Sequence, residues 1–201
     1  MIVSTTPTMA DKTPRVVILI SGRGSNMISI VNAVNEGSLP IKIAAVISNR
    51  PDAAGINFAQ QAGIDTAIID HKAFASREVF DQAMASKIDT YSPDLVILAG
   101  FMRILTTEFV EHYANRLINI HPALLPKFKG MDTHQRAIDA GETEHGASVH
   151  FVTAELDAGP VILQAKVPIL STDTAKTLAI RVLEQEHKLY PEAINKLVTN
   201  S

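Results

Sequence analysis

The sequence predicts an α/β fold with a mostly parallel, doubly wound sheet and an antiparallel C-terminal portion. Short apolar runs rich in β-branched residues alternate with helical patterns over the first 126 residues. Such alternation is typical of parallel sheets with right-handed crossovers. After Pro126 the pattern changes, because two strand-like segments follow each other without a helical pattern between them.

Five strands and four helices are predicted in the first part of the chain. The apolar run "PDLVILAG" at 93–100 shows no alternation, as in a strand covered on both faces. Phe80, Met84 and Ile88 recur at helical spacing and mark an amphipathic helix. The strands are predicted at 15–20, 41–48, 65–70, 93–100 and from 117 to Pro122, and the helices at 27–34, 53–62, 76–91 and 106–113.

The last part of the chain is predicted to hold two antiparallel edge strands and a long helix. The strands lie within 145–169, on either side of the turn region 157–160. The helix starts near residue 173 and carries apolar residues on one face. Pro191 is expected to kink or divide this helix, because proline lacks a backbone N–H.

Composition and charge exclude several classes of protein. The chain has 201 residues, a formal net charge of −3 and no cysteine. The absence of cysteine excludes disulfides, thiolate metal sites and cysteine nucleophiles, and it suits a cytoplasmic enzyme. The charge favours neither a nucleic-acid nor a membrane partner, and no apolar run reaches the roughly 20 residues of a membrane helix. A flexible leader is predicted at 1–14 and a single domain at 15–201.

The turn Gly22–Asn26 follows the first strand and opens a helix, which is the geometry of an anion site. The dinucleotide fingerprint fails, because Met27 occupies the third glycine position and the second strand ends in Ser48-Asn49 without an acid. A single phosphate therefore fits better than a pyrophosphate. A plain tight turn is the alternative interpretation.

Asn119 and His121 lie two residues apart at the end of the fifth strand, so their side chains share a face. Ligands of open α/β sheets bind at the carboxyl ends of strands, and Pro122 leaves His121 at that end. An amide and an imidazolium side by side can stabilise an oxyanion. The alternative is a histidine with only a structural hydrogen bond.

Asp157 lies in the turn "ELDAGP" and could contact His121 if that turn folds back over the strand end. Its carboxylate would then hold and orient the imidazolium. A carboxylate that only caps the turn is the alternative. No metal is expected, because His145 and His150 are five residues apart and no His-x-x-x-His occurs. Without a nucleophile motif, these groups favour direct transfer to a nucleophile that the substrate supplies.

The chain resembles the phosphoribosylglycinamide formyltransferase family, the folate-dependent transformylases of purine synthesis, from about residue 16 to 190. The resemblance is carried by "ISGRGSN", "SREVFD", "PDLVILAGFMRIL", "LINIHPALLPKFKG", "HGASVHFVTAELDAGPVILQ" and "EQEHKLYP". It implies a Rossmann-like formyltransferase fold. It also implies direct formyl transfer from 10-formyltetrahydrofolate to the amine of 5'-phosphoribosylglycinamide (GAR), through a tetrahedral intermediate. The implied products are N-formyl-GAR and tetrahydrofolate.

The resemblance also implies roles for individual residues. Asn119, His121 and Asp157 would be catalytic, and 10-formyltetrahydrofolate would be a co-substrate. The GAR site would consist of Gly24, Ser25, Asn26 and Glu186. The folate site would consist of Arg77, Met102, Arg103, Ile104, Leu105, Asn119, Thr153, Ala154, Glu155, Leu156 and Asp157. The implied partners are these small molecules alone, and the implied protein is a monomer or homodimer.

The chain departs from the family pattern in three places. Arg23 adds a cation in the first turn, Ala158 stands where a second glycine is usual, and the chain ends at Ser201 without an extended tail. Formyltetrahydrofolate deformylase and methionyl-tRNA formyltransferase share the Asn-x-His-Pro region, but neither has the same Gly-x-Gly-Ser-Asn turn. A noncatalytic phosphate-binding module is the alternative from another functional class.

Overall fold

A computed structural model of the chain describes residues 13–199. The predicted leader lies outside the described residues up to position 12. The described strands are β1 (Arg15–Ile20), β2 (Lys42–Ser48), β3 (Thr66–Ile68), β4 (Leu95–Leu98), β5 (Leu117–His121), β6 (Glu144–Phe151) and β7 (Val161–Pro168). The described α-helices are α1 (Ser25–Asn35), α2 (Ala54–Gln61), α3 (Arg77–Asp89), α4 (Thr107–His112), α5 (Thr133–Asp139) and α6 (Ala175–Thr199).

The seven strands form one sheet in the order β3-β2-β1-β4-β5-β6-β7. The pairs from β3 to β5 are parallel, whereas β6 and β7 are antiparallel to their neighbours. The predicted fold class is therefore confirmed. The strand β5 has a parallel neighbour on one side and an antiparallel neighbour on the other, so its carboxyl end meets both halves of the fold.

Apolar clusters cover both faces of the sheet, which explains why the central strands show no alternation. On one face, Ile18 packs in a cluster with Leu178 and Val182 of α6. On the other face, Val17 packs in a cluster that contains Phe80, Met84 and Ile88 of α3. Successive residues of β1 thus point into different clusters, and both sets are buried.

The prediction that Pro191 divides the last helix is wrong, because α6 runs without a break from Ala175 to Thr199. Tyr190 and Ile194, on either side of the proline, are fully buried. The hydroxyl of Tyr190 also donates hydrogen bonds to the carbonyls of Leu98 and Ile118 at 2.9 and 3.3 Å. Packing on the sheet therefore keeps both halves helical despite the missing backbone donor.

Helix α5 is absent from the prediction, because its seven residues bury only Thr133 and Ala137 and so carry little periodic signal. Within residues 13–199, none of the helices combines the length and the apolarity that a membrane crossing requires.

Candidate active site

A cavity of about 370 Å³ opens at the carboxyl ends of β4 and β5. Its walls include the segment 101–105 after β4, Asn119 and His121 of β5, and His150 of β6. The turn after β6 contributes Thr153, Ala154, Leu156 and Asp157. The cavity therefore lies where the sheet changes from parallel to antiparallel strands.

Asn119 and His121 both line this cavity, as their two-residue spacing predicts. The intervening Ile120 points to the opposite face and packs with α6. His121 is buried, with 6% of its surface exposed. The strand thus presents one amide and one imidazole to the cavity while its other face belongs to the core.

Both ring nitrogens of His121 face oxygen acceptors. Nε2 is 2.9 Å from the carbonyl oxygen of Phe128, and Nδ1 is 3.4 Å from Oδ2 of Asp157. The same Oδ2 accepts a hydrogen bond from the backbone N–H of Gly130 at 2.9 Å. Neither neighbour of the ring can donate, so an imidazolium with a proton on each nitrogen matches both of them. The predicted contact between Asp157 and His121 is present.

The first turn presents a second group of polar residues. Gly24 adopts φ 72°, a left-handed conformation that suits glycine, and a Cβ there would lie 3.0 Å from the side chain of Met27. Ser25 and Asn26 then begin α1. Asn26 Nδ2 donates to Glu186 Oε2 at 2.7 Å, whereas the buried Asn26 Oδ1 has no protein partner. An unpaired buried acceptor suits a site that a ligand completes.

Glu186 extends from α6 to this turn and is itself buried. Burial raises the pKa of its carboxyl, while the hydrogen bond from Asn26 and the charge of His121 act in the opposite direction. The four residues predicted to bind GAR do not line the 370 Å³ cavity.

The residues predicted to bind folate separate into two sets. Most of them line the cavity, namely Met102, Arg103, Ile104, Leu105, Asn119, Thr153, Ala154, Leu156 and Asp157. Arg77 and Glu155 do not line it. Arg77 is exposed at the start of α3, and Glu155 forms an exposed ion pair with Lys129 at 2.8 Å. A role in binding folate stays a prediction for the residues of both sets.

Two further imidazoles pack against each other. The rings of His134 and His145 meet edge to face at 5.1 Å. Burial lowers the pKa of both, with the charge of His121 acting in the same direction, and it lowers the pKa of His145 to about 4. These two histidines are therefore neutral near pH 7, which limits positive charge beside His121.

Of the titratable residues that line the cavity, His150 is the one that the sequence analysis does not include among the candidates. Its Nε2 lies 3.4 Å from Asn119 Nδ2 and 3.8 Å from Asp157 Oδ1. The register of β5 against β6 places it there, since His150 is the direct partner of Asn119. A period-2 pattern in β6 marks a buried face but does not give that register. Among residues 13–199, no group of three or more His, Cys, Asp or Glu side chains is arranged to hold a metal ion.

Comparisons with known proteins agree with this geometry. The formyl transferase family matches residues 14–194. Phosphoribosylglycinamide formyltransferase of Escherichia coli K12 is 52% identical over 180 residues, which cover 90% of this chain and 85% of that protein.

Two solved structures are also similar. The phosphoribosylglycinamide formyltransferase of Coxiella burnetii, in complex with CHES, has a TM-score of 0.90 at 52% identity and covers 94% of this chain and 89% of its own. Glycinamide ribonucleotide transformylase 1 of Symbiobacterium toebii has a TM-score of 0.92 at 42% identity, and the match covers 98% of this chain and 92% of that protein. The chain therefore belongs to the formyl transferase family.

Proposed function

We propose that the chain transfers the formyl group of 10-formyltetrahydrofolate to the amine of GAR in purine (IMP) biosynthesis. The products are N-formyl-GAR and tetrahydrofolate. The observation that carries the proposal is the placement of His121 beside Asn119 on the cavity wall, with oxygen acceptors at both of its ring nitrogens. The similarity to relatives named phosphoribosylglycinamide formyltransferase supports this substrate pair.

The two substrates occupy the two polar groups described above. The phosphate of GAR binds the free backbone amides of Ser25 and Asn26 at the start of α1, where the helix dipole favours an anion. Glu186 holds the amine end of GAR, and Asn26 Oδ1 gains a partner when that ligand binds. The folate occupies the mostly apolar cavity between the segment 101–105 and the turn after β6.

The transfer requires one bond to form and one to break. The GAR amine attacks the formyl carbon, and the carbonyl electron pair moves to the oxygen. Asn119 donates a hydrogen bond to that oxyanion, and the positive charge of protonated His121 stabilises it. The oxyanion then reforms the carbonyl, the bond between carbon and N10 breaks, and the proton lost by the amine reaches N10 through His121 or a water molecule.

Asp157 keeps His121 ready for this role. Its Oδ2 faces Nδ1 at 3.4 Å, so the carboxylate attracts the ring cation and fixes its orientation. The N–H of Gly130 binds the same oxygen and ties the loop after β5 to the turn that carries Asp157. The loop and the turn therefore position the carboxylate of Asp157 beside His121.

The test is turnover of 10-formyltetrahydrofolate with and without GAR, for the wild type and for His121→Ala. We expect wild-type turnover only with GAR, and a loss of about 10²–10³ in kcat for the variant, as for removal of a group that stabilises an oxyanion. His112→Ala is the matched control, because His112 is an exposed residue of α4 paired with Asp89. It should retain wild-type turnover.

Each other outcome contradicts a defined part of the proposal. Equal turnover without GAR would identify a deformylase, and no turnover with either mixture would favour a binding module. Wild-type kcat in His121→Ala would remove His121 from the mechanism.

A further inference from the structure

Asn119 and His150 are direct partners across the antiparallel pair β5–β6. Side chains of such partners lie on the same face of the sheet. Here Asn119 Nδ2 and His150 Nε2 are 3.4 Å apart, and both residues line the cavity. The amide proposed to stabilise the oxyanion is therefore in contact with a second imidazole, which the mechanism above does not use.

The other ring nitrogen of His150 determines which nitrogen carries the proton. Nδ1 lies 2.9 Å from the carbonyl oxygen of Phe151, which can only accept, so Nδ1 is the donor. His150 is 2% exposed, and burial lowers the pKa of its imidazole. The neutral ring thus has its proton on Nδ1 and a lone pair on Nε2.

This tautomer selects one orientation of the Asn119 amide. With a lone pair on Nε2, the favourable partner is the amide nitrogen, which donates one of its two N–H groups to His150. In the reversed orientation the amide oxygen would face Nε2 and would require a second proton on a buried ring. Burial opposes that cation. The second N–H of Nδ2 remains available to a ligand.

We propose that His150 is a positioning residue for formyl transfer. It holds the Asn119 amide with Nδ2 toward His150, so that the second N–H of Nδ2 can bind the oxyanion. This inference rests on the function proposed above. The charged and titratable groups that face His150 are Asp157, with Oδ1 at 3.8 Å from Nε2, and His121, whose charge acts on it. His150 acts through Asn119 and need not contact either substrate.

A double-mutant cycle tests this dependence on Asn119. His150→Phe keeps a ring but removes the acceptor, and it should lower kcat by about 10²-fold, close to the loss of an oxyanion donor. The KM of both substrates should stay within about threefold, because the lost interaction belongs to the transition state. His150→Gln places an amide oxygen near the position of Nε2 and should recover most of the loss.

The decisive comparison is Asn119→Ala with Asn119→Ala/His150→Phe. If His150 acts only through Asn119, the double variant should match the single Asn119→Ala variant within about twofold. Independent losses that multiply would overturn the inference. So would a His150→Gln variant as slow as His150→Phe while both remain folded.

Nitrogen NMR of the wild-type protein labelled in its histidines provides a readout that requires neither activity nor a stable variant. We expect His150 to be the Nδ1–H tautomer at pH 7. A proton on Nε2 at that pH would overturn the inference even if all kinetic variants failed to fold. Absence of wild-type turnover with GAR would overturn the proposed function, and this inference with it, whereas wild-type turnover with a multiplicative cycle would overturn this inference alone.

Discussion

Acid should destabilise the protein through His145, which lies behind the proposed site. Burial is the largest cause that lowers the pKa of this imidazole from 6.5 to about 4, and the charge of the neighbouring His134 acts in the same direction. The unfolded chain therefore binds a proton at this residue below pH 6.5, whereas the folded protein does so only near pH 4. Between these values the unfolded state binds more protons, so stability is lost as the pH falls.

The pKa shift gives the magnitude. One unit corresponds to about 1.4 kcal/mol of free energy. At pH 5, about 1.5 units below the reference value, the loss from His145 is about 2 kcal/mol, and it reaches about 3 kcal/mol near pH 4. His145 is 1% exposed, so solvent screens little of this effect. Such a loss is a large fraction of the stability of an ordinary domain.

Urea unfolding of the wild type and of His145→Asn, measured from pH 8 to pH 5, isolates this contribution. The asparagine keeps an N–H donor for the backbone of Pro122, which hydrogen-bonds the imidazole, but cannot titrate. The variant should be less stable than the wild type at pH 8, because it leaves a cavity. The difference between the two free energies of unfolding should stay constant from pH 8 to pH 7 and then shrink by about 2 kcal/mol at pH 5. A constant difference over the whole range would refute the role of His145.

Three substitutions test other parts of the fold. Arg23→Asn removes an exposed cation from the first turn, so the KM for GAR should rise about fivefold at low salt, equivalent to about 1 kcal/mol, and less at high salt. Steady-state kinetics at two ionic strengths measure this, and an unchanged KM would place the phosphate elsewhere. Ser21→Ala removes a buried hydroxyl that donates to Asn49 Oδ1 at 2.6 Å and accepts from the N–H of Met102 at 2.7 Å. In urea unfolding, the free energy of unfolding should fall by about 1–3 kcal/mol. The KM for folate should also rise, and wild-type values of both quantities would contradict this role of Ser21. Gly146→Ala would place a Cβ 1.9 Å from the carbonyl oxygen of Ala165 in β7. The free energy of unfolding should therefore fall by roughly 2–4 kcal/mol, and the Tm should fall with it. An unchanged Tm would contradict the close approach of the two strands.

The features that the sequence predicts correctly depend on local rules. The alternation of side chains along a strand places Asn119 and His121 on one face without any knowledge of the neighbouring strands. The strand limits follow from apolar runs, and those of β1 agree with the structure at both ends. The turn Gly22–Asn26 likewise follows from glycine and a helix start that lie within a few residues of each other.

The missed features depend on contacts between distant segments. The place of His150 opposite Asn119 requires the register of β5 against β6, which no local pattern in either strand specifies. The continuity of α6 through Pro191 depends on the burial of Tyr190 against the sheet. Glu186 enters the site prediction only through the family resemblance, because its partner Asn26 is 160 residues away in the chain.

The hydrogen bond between Asn26 and Glu186 also leads us to expect that the proposed site is completed late in folding. It closes a loop of 160 residues, among the most distant connections that a chain of this length can make. Such non-local contacts form late, because the entropy of closing the loop must be lost before the contact stabilises anything. The first turn can therefore adopt its shape early, but it lacks its carboxylate until α6 packs on the sheet. Refolding followed by formyl transfer would consequently register that last packing step, whereas fluorescence or circular dichroism would also register the earlier ones.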